Sequence, residues 1–344
     1  MNYSIPVRRV QQILSRASHS RILVVGDIML DQFIWGNVAR ISPEAPVPIV
    51  DFERESFMPG GAANAARNLT ALNAHTELFG VIGQDLPAEE LRGLLTSHRI
   101  GCDGLVADAK RRTSVKTRIV AHTQQVVRID RETREKLDES VTRRLLEAVQ
   151  SQLPGCTGII VGDYGKGVVT QPLLDDIKRL CRARGIWLSV DPKPVHRLDL
   201  SGLSLITPNR KEAFELAKMP DETRRPDPLT DTNLMAVADR LLQDLKPAVL
   251  LVTLGELGML LCQRNQPVVH IPTIAKEVFD VSGAGDTVIA SFTLAIAAGA
   301  SPLEAAVISN HAAGLVVGKV GTATVTQDEL VGSFRPGSWT ADQK

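Results

Sequence analysis

The sequence has no excess of either charge and few cysteines. Its 344 residues include 39 Lys and Arg and 39 Asp and Glu, so no global field favours nucleic acid or an acidic membrane surface. Its four cysteines, Cys102, Cys156, Cys181 and Cys262, form no CxxC pair, which argues against a structural zinc site and a disulfide scaffold. We therefore expect a reducing, cytoplasmic setting and no nucleic-acid partner.

Long hydrophobic runs are also missing. Residues 1–21 carry Arg8, Arg9 and Arg16 and lack the continuous apolar stretch of a signal peptide. No segment approaches the ~20 apolar residues needed to span a bilayer, and the run at 290–300 contains Gly299 and is typical of a buried helix. We therefore expect no membrane association.

Short apolar runs typical of buried parallel strands recur along the chain. They lie at 21–26, 158–162, 186–190, 203–206 and 248–254. Helical patterns fall between several of them, at 62–73, 137–152, 172–184, 211–217 and 234–245. This alternation predicts an α/β fold with a doubly wound, mostly parallel sheet flanked by helices. Such sheets bind ligands beyond the carboxyl ends of their strands.

Two stretches interrupt this alternation. Residues 33–57 and 113–130 are rich in β-branched residues mixed with polar ones, and we expect antiparallel strands outside the main sheet. We interpret them as a small β-sheet lid on a single domain of residues 1–334, although ordinary edge strands or hairpins fit the pattern equally well. The polar residues 335–344, with Pro and Gly, are expected to form a disordered tail.

The segment FDVSGAGDT at 279–287 places glycines and an acid ahead of a predicted apolar helix. Because Gly283 and Gly285 relieve steric limits, the backbone N–H groups of Gly283, Ala284 and Gly285 can point into one concavity at a helix N-terminus. Such a nest suits a transferring phosphoryl group, and Asp286 beside it can accept the proton of an attacking hydroxyl. A glycine-rich turn with Asp286 as a plain N-cap is the alternative.

A second segment, PGGAANAARNL at 59–69, begins a predicted helix. The paired Gly60 and Gly61 allow a ligand to approach the backbone closely. Asn64, in the first turn, offers a donor and acceptors to sugar hydroxyls. Taken alone, the segment favours a helix start packed tightly through its alanines.

Together the two segments resemble the ribokinase-like carbohydrate kinase family. The amino-terminal signature is GGAANAA followed by GVIGQD at 80–85, and the carboxy-terminal signature is DVSGAGDT. The resemblance covers about 21–330, with the signatures in the expected order. It implies a central sheet flanked by helices, a β lid over a sugar, and ATP and Mg²⁺ at the site. It also allows a monovalent cation such as K⁺ beside the anion nest, which the residues themselves do not reveal.

The resemblance assigns two acids after the first strand to the sugar. In GDIMLD at 26–31, Asp31 matches the family's sugar-binding carboxylate, and Asp27 lies close enough to share that role. A carboxylate at a strand end can accept hydrogen bonds from two adjacent hydroxyls. A turn-capping role is the alternative, above all for Asp27.

Further matches place the nucleotide. Asn209 and Glu212, in NRKE, fit the NxxE element that helps organise phosphates and Mg²⁺, with Glu212 acting on the metal through water. A helix-start Glu is the structural alternative. Thr253, Gly255 and Gly258, in TLGELG, fit a nucleotide-side loop, although a β-turn between strands explains them as well.

Three more positions are assigned to the nucleotide by the same resemblance. Lys193, in DPK, would point toward the triphosphate, and Lys166, in DYGKG, matches a position near the phosphates. A solvated loop lysine is the alternative for Lys166. Asn310 and small residues near it would line the adenine pocket, although those small residues also suit helix packing.

One stretch of the sequence limits the range of candidate substrates. RISPEAPVPIV at 40–50, with GDIMLD and VRID at 127–130, resembles the bacterial D-glycero-β-D-manno-heptose 7-phosphate kinases. These enzymes phosphorylate the anomeric hydroxyl to give the 1,7-bisphosphate for ADP-heptose and lipopolysaccharide core synthesis. Basic residues crowd the second lid stretch, and we select Lys116 and Arg128 as candidates to bind the substrate's own phosphate. A solvated basic face is the alternative.

Three functional hypotheses remain open from the sequence: a heptose-phosphate kinase, a kinase of the same fold acting on another sugar phosphate or a nucleoside, and a non-enzymatic sugar- or nucleotide-binding regulator. The small-molecule partners expected are a sugar phosphate and ATP. Some relatives carry a fused nucleotidyltransferase domain, and we find no HxGH-type motif for one in this sequence. Lid strands in this family often pair between subunits, so a homodimer through the lid is expected.

Overall fold

Two β-sheets organise the chain. The computed structural model describes residues 3–122, 124–194, 197–275, 277–319 and 321–335. Their strands are β1 (Arg21–Gly26), β2 (Ile28–Ile41), β3 (Pro48–Gly61), β4 (His75–Ile82), β5 (Leu105–Ala107), β6 (Ser114–Ala121), β7 (Gln124–Arg131), β8 (Gly158–Gly162), β9 (Trp187–Asp191), β10 (Leu205–Ile206), β11 (Val249–Thr253), β12 (Met259–Cys262) and β13 (Val269–Ile271). The larger sheet has the order β13-β12-β11-β10-β9-β8-β1-β4-β5, and the smaller one β3-β2-β6-β7.

Helices cover both faces of the larger sheet. They are α1 (Val7–Ala17), α2 (Ala62–Ala71), α3 (Leu86–Ser97), α4 (Glu139–Ser151), α5 (Gln171–Arg184), α6 (Arg210–Ala217), α7 (Thr232–Leu245), α8 (Ala284–Ala297), α9 (Pro302–Val316) and α10 (Gln327–Gly332). Pairing is parallel from β11 to β5 and antiparallel only where β12 and β13 extend one edge. The predicted α/β class with a mostly parallel sheet is confirmed.

Strand β1 shows why its sequence is continuously apolar. Successive side chains of a strand point to opposite faces. Ile22 and Val24 pack into a core with α1, α2, α8 and α9, whereas Leu23 and Val25 pack into a second core with α4 to α7. Because both faces are covered, no position in the strand can be polar at low cost.

The two stretches interpreted as a lid form the smaller sheet. Strand β2 pairs antiparallel with β3, and β6 with β7, so the antiparallel strands expected within each stretch are confirmed. The two stretches are joined by parallel pairing of β2 with β6. The lid strands are also longer than expected, since β2 begins at Ile28 and β3 ends at Gly61.

The GVIGQD signature joins the lid to the larger sheet. Asp85 caps α3 by accepting a hydrogen bond from Ala88 N at 3.1 Å. Its other oxygen accepts from Thr113 N at 2.9 Å, just before β6 begins. One carboxylate therefore ties a helix start to a lid strand.

The remaining large-scale predictions concern the chain end and the bilayer. Apart from Arg335, the tail predicted at 335–344 lies outside the described residues. Among the residues that the structure describes, no helix combines the length and apolarity needed to cross a bilayer.

Candidate active site

The first turn of α8 carries the predicted catalytic base. Gly283 is the N-cap with a φ of 79°, and a Cβ there would lie 2.5 Å from Asn64 Nδ2, so only glycine fits. Asp286 is 8% exposed. Its Oδ2 accepts a hydrogen bond from Asn64 Nδ2 at 2.7 Å, and its Oδ1 accepts one from the hydroxyl of Tyr164. The structure thus brings Asn64 and Asp286, predicted from separate motifs, into direct contact.

Burial decides the proton affinity of this acid. Loss of water around Asp286 is the largest influence on its pKa and raises it, whereas the hydrogen bonds from Asn64 and Tyr164 lower it. The negative charge of Asp31 also raises the pKa and the charge of Lys116 lowers it, and the net result is a pKa raised to about 6. A carboxylate that is ionised near neutral pH but retains some proton affinity suits a general base.

The predicted anion nest is only partly available. Gly285 is exposed, and no heavy atom lies within 4 Å of the position its Cβ would occupy, so an anion can approach its backbone. Ala284 differs from the prediction, because its N–H donates to Val281 O at 3.2 Å. Gly283 and Gly285 therefore remain the candidate donors of the predicted nest, and the N–H of Ala284 instead closes the turn before α8.

Asp31 lies at the inner face of the lid. Its Oδ1 forms an ion pair with Arg118 at 2.5 Å, and a Cβ on Gly60 would lie 2.2 Å from its Oδ2. Gly60 is thus required for close packing against this acid. Gly61 has a φ of 60° and would place a Cβ 2.6 Å from Asp27 O, so the two glycines allow the end of β3 to pack closely against β2 and the residue that precedes it.

Basic residues share that inner face through strand register. Lys116 is opposite Asp31 on β2 and opposite Asp130 on β7, and burial lowers its pKa. Arg128 pairs with Asp130 at 2.8 and 3.0 Å on the exposed strand β7. Lys116 therefore lies beside the acids, while Arg128 stands at the rim with its charge compensated, and binding of a substrate phosphate by either residue stays a prediction.

The structure gives Asp27 a different role from the predicted one. Its side chain is fully buried, and its carboxylate accepts backbone hydrogen bonds from Tyr164 at 2.8 Å, Lys166 at 2.9 Å and Val168 at 3.0 Å. These bonds occupy the oxygens that a sugar would need. Asp27 therefore holds the loop that follows β8, which corrects its assignment to the sugar.

The charge of Lys166 is also compensated by another side chain of the protein. Its ammonium forms an ion pair with Glu132, and both side chains are about nine-tenths buried. The interpretation of Lys166 as a free phosphate-neutralising charge is therefore corrected. The pair instead joins the residue after β7 to the loop after β8.

The NxxE element begins α6 with a capping box. Asn209 Oδ1 accepts from Glu212 N at 3.0 Å, and Glu212 Oε2 accepts from Asn209 N at 3.1 Å. The other Glu212 oxygen pairs with Lys193 Nζ at 3.1 Å. The structural interpretation of a helix-start Glu thus applies, and it places a carboxylate and a lysine together at the carboxyl edge of the sheet.

This donor set fits a magnesium ion bound largely by phosphates and water. Among the described residues there is no group of three or more His, Cys, Asp or Glu side chains that could hold a metal ion. Mg²⁺ bound with nucleotides needs only one or two carboxylates. Glu212 supplies one, in keeping with a contact through water.

The predicted nucleotide loop follows β11. Thr253 forms an isolated parallel bridge with Asn209, so the two predicted positions are neighbours. Gly255 has a φ of 61° with open space around its Cβ position, whereas a Cβ on Gly258 would lie 2.1 Å from Ile271 O. Gly255 therefore leaves room for a ligand, and Gly258 is needed for close packing of the next strand pair.

Asn310 lies on α9 and is 4% exposed. Its Nδ2 donates to Pro272 O at 2.8 Å, which fixes the segment after β13 against the helix. A Cβ on Gly314, one turn further, would lie 2.7 Å from Ile274. Asn310 thus shapes this region through the backbone at Pro272.

The structure places three residues in the site that the motifs do not single out: Arg118, Tyr164 and Asp191. Arg118 forms the lid ion pair described above, although only Lys116 and Arg128 were selected from its basic cluster. Tyr164 contacts Asp286, and burial raises its pKa well above the ordinary value. Burial, followed by the charge of Asp286, also raises the pKa of Asp191, at the end of β9. The available signal was position, since Tyr164 and Asp191 follow or end buried strands at the same edge.

Sequence comparison places this geometry in a known family. The model of the pfkB family carbohydrate kinases matches residues 19–329. The chain is 42% identical over 338 residues to bifunctional protein HldE of Citrifermentans bemidjiense, covering 98% of this chain and 68% of that protein. It is 41% identical over 317 residues to bifunctional protein HldE of Desulfatibacillum aliphaticivorans, covering 92% and 63%. The chain thus spans roughly two thirds of the length of these relatives.

Solved structures show the same fold. Phosphofructokinase-2 from Escherichia coli, in complex with potassium, superposes with a TM-score of 0.74 at 21% identity, covering 92% of this chain and 97% of that one. Ribokinase from Arabidopsis thaliana, complexed with ribose and ATP, gives 0.71 at 18% identity, covering 92% and 99%. With the family match over most of its length, the chain belongs to the pfkB family of carbohydrate kinases and is a phosphotransferase.

Proposed function

We propose that this kinase transfers the γ-phosphoryl group of ATP to the anomeric hydroxyl of D-glycero-β-D-manno-heptose 7-phosphate. The product would be the 1,7-bisphosphate, used for ADP-heptose and lipopolysaccharide core synthesis in the cytoplasm. The observation that carries the reaction type is Asp286, buried at the start of α8 with both oxygens held by donors. The name HldE, shared by relatives about 41% identical, supports the substrate.

The protein groups account for each proton and charge in the transfer. The sugar hydroxyl gives its proton to Asp286 as its oxygen attacks the γ-phosphorus, and the bond to the bridging oxygen breaks to release ADP. The N–H groups of Gly283 and Gly285, at the positive end of α8, stabilise charge on the transferring group. Asp31 orients the sugar by accepting hydrogen bonds from its hydroxyls.

The carboxyl edge of the sheet would hold the nucleotide. Lys193 offers a positive charge to the phosphates, Gly255 gives backbone access, and Asn310 shapes the adenine side through Pro272. Mg²⁺, when bound, neutralises phosphate charge, and Glu212 would hold it through water. A K⁺ requirement beside the nest stays a prediction.

The lid supports a phosphorylated substrate. Asp31 selects hydroxyls, while Lys116 and Arg118 on β6 place two positive charges on the same face, with Arg128 at the rim. Arg side chains bind phosphate oxygens in a bidentate manner. The two arginines are paired with Asp31 and Asp130 in the lid, and we propose that the phosphate of the substrate joins this charge network.

A substrate panel tests the proposal. ADP release would be measured with ATP and Mg²⁺ for heptose 7-phosphate, fructose 1-phosphate, fructose 6-phosphate, ribose and adenosine. We expect turnover confined to the heptose phosphate, with Asp286→Asn as the inactive control. Preferred turnover of another substrate would contradict the heptose assignment and retain the kinase.

A further inference from the structure

Tyr164 lies in the DYGKG segment, and the fold brings its hydroxyl into contact with Asp286. It lies in the loop after β8, 122 positions from Asp286 in the sequence, yet its hydroxyl donates to Asp286 Oδ1. Asn64, on α2, holds the opposite oxygen at 2.7 Å. The carboxylate is therefore gripped by two neutral donors from two different elements.

The loop that carries Tyr164 is itself anchored. Three alternate residues of this loop donate to the buried Asp27 carboxylate, through the N–H groups of Tyr164, Lys166 and Val168. Asp27 follows β1, which is the immediate neighbour of β8 in the sheet. Hydrogen bonds to a carboxylate are among the stronger ones in proteins, so the tyrosine ring starts from a backbone with little freedom.

We propose that Tyr164 is a positioning residue for Asp286, which holds one carboxylate oxygen in place and keeps the acid ionised by donating its hydroxyl hydrogen. The inference rests on the proposed role of Asp286 as the base. With Oδ1 engaged by Tyr164 and Oδ2 by Asn64, the plane of the carboxylate is fixed by one donor on each side. A free carboxylate in the same pocket would rotate and bind a proton more readily.

The other charged groups around Asp286 determine how strongly the hydrogen bond from Tyr164 affects its ionisation. Asp31 on β2 is a negative neighbour, and Lys116 on β6 is the positive one. Asp191, at the end of β9, also interacts with Asp286, and burial raises its own pKa well above the ordinary value. Burial and the Asp31 charge favour the protonated acid, while Asn64, Tyr164 and Lys116 favour the carboxylate. Removing the Tyr164 hydroxyl takes away one of the two direct donors in a place with little water to replace it.

The kinetic test is the pH dependence of kcat/KM for Tyr164→Phe, which keeps the ring and removes only the donor. We expect the acid limb to move to higher pH by roughly half a unit to one unit, so that activity at pH 6 falls several-fold more than activity at pH 8. Tyr3→Phe removes the same hydroxyl from the chain's other tyrosine, which packs against the core, and should leave the profile unchanged. An acid limb equal to that of the wild type would overturn the proposal, even if kcat falls uniformly.

A spectroscopic test needs no substrate. With two tyrosines in the chain, 3-fluorotyrosine labelling gives two ¹⁹F resonances, which Tyr3→Phe assigns. The Tyr164 resonance should titrate with a midpoint near pH 6, and Asp286→Asn should abolish that titration. A flat Tyr164 resonance would overturn the contact. A Tyr164 resonance that titrates in a protein that phosphorylates no tested sugar would support the contact with Asp286 and count against the proposed function. A failure of the contact and a failure of the proposed function therefore give different results.

Discussion

At the scale of single residues, the candidate active site contains a buried acid whose ionisation lowers the stability of the folded protein. Asp286 is a buried acid whose pKa is raised to about 6, so folding favours its protonated form. This contribution to stability is fully present below the unfolded pKa near 3.8 and is lost as the pH rises through about 6. Above that range the ionised acid is retained at a cost, as is common at functional sites.

Asp286→Asn should separate catalysis from folding. Loss of the proton acceptor should lower kcat by roughly 10²–10⁴-fold, while ATP still binds. Because the variant has no buried charge to desolvate, its free energy of unfolding at pH 8 should equal or exceed that of the wild type, by on the order of 3 kcal/mol at most. Denaturant unfolding at pH 8 and pH 5 checks this, and the difference should shrink at pH 5. A variant clearly less stable at pH 8 would contradict the burial argument.

The wild-type rate should depend on pH through the same acid. Since the base must be ionised, kcat/KM should fall about tenfold for each unit of pH below about 6. The measurement is a pH profile with saturating ATP, together with a stability check across the range. A flat profile down to pH 5 would exclude Asp286 as the titrating base.

At the scale of elements, the lid and the start of α6 each join structure to binding. In the lid, Asp31 is held by Arg118 across two parallel strands. Asp31→Asn keeps the shape and removes the charge, so the KM for the sugar should rise by roughly 10–100-fold, as expected for charge-assisted hydrogen bonds. The KM for ATP should change little. Asp51→Asn, an exposed change on β3, is the matched control, and equal effects on both substrates would contradict a sugar-binding role.

The capping box of α6 can be compared with a second one in the same chain. Asn209 caps α6 beside Glu212, and Ser301 caps α9 in the same pattern with Glu304. Replacing either cap by Ala should lower the free energy of unfolding by about 1 kcal/mol. Only Asn209→Ala should also raise the KM for ATP, because it releases Glu212. If both variants have the same KM for ATP, the NxxE element is only a helix cap and has no role in nucleotide binding.

At the scale of the whole molecule, the lid leaves an edge and an apolar face uncovered. All of β7 is exposed, with Val127 and Ile129 46% and 52% accessible. By register these two lie on the face opposite to Lys116 and Arg118, beside Ile119. Uncovered edges and apolar patches of this kind mark association surfaces, which supports the proposed homodimer through the lid.

Charge on that face should therefore oppose assembly. We propose that the lid faces of two chains pair, so that Val127→Asp combined with Ile129→Asp should raise the dissociation constant of the proposed dimer at least tenfold in sedimentation velocity. Leu229→Asp, an exposed change outside the lid, is the control. A wild type that stays monomeric at all concentrations, or a double variant that dimerises normally, would refute the lid interface.

The sequence by itself determined the fold class and the core of the site. Apolar runs such as 21–26 report burial on both faces of a sheet directly, because strand periodicity and length are local properties. The link from FDVSGAGDT to a helix N-terminus with an acid in its first turn is equally local, and the structure confirms that placement. The family match over 19–329 agrees with the signatures at both ends.

Only the tertiary structure decided which partners those residues have. Asp27 faces three backbone donors, Tyr164 reaches Asp286, and Arg118 reaches Asp31. Each contact joins segments between 87 and 141 positions apart. Their meeting depends on strand order and register, such as the parallel pairing of β2 with β6. Local sequence patterns do not specify that register, because it is set by the packing of the whole sheet.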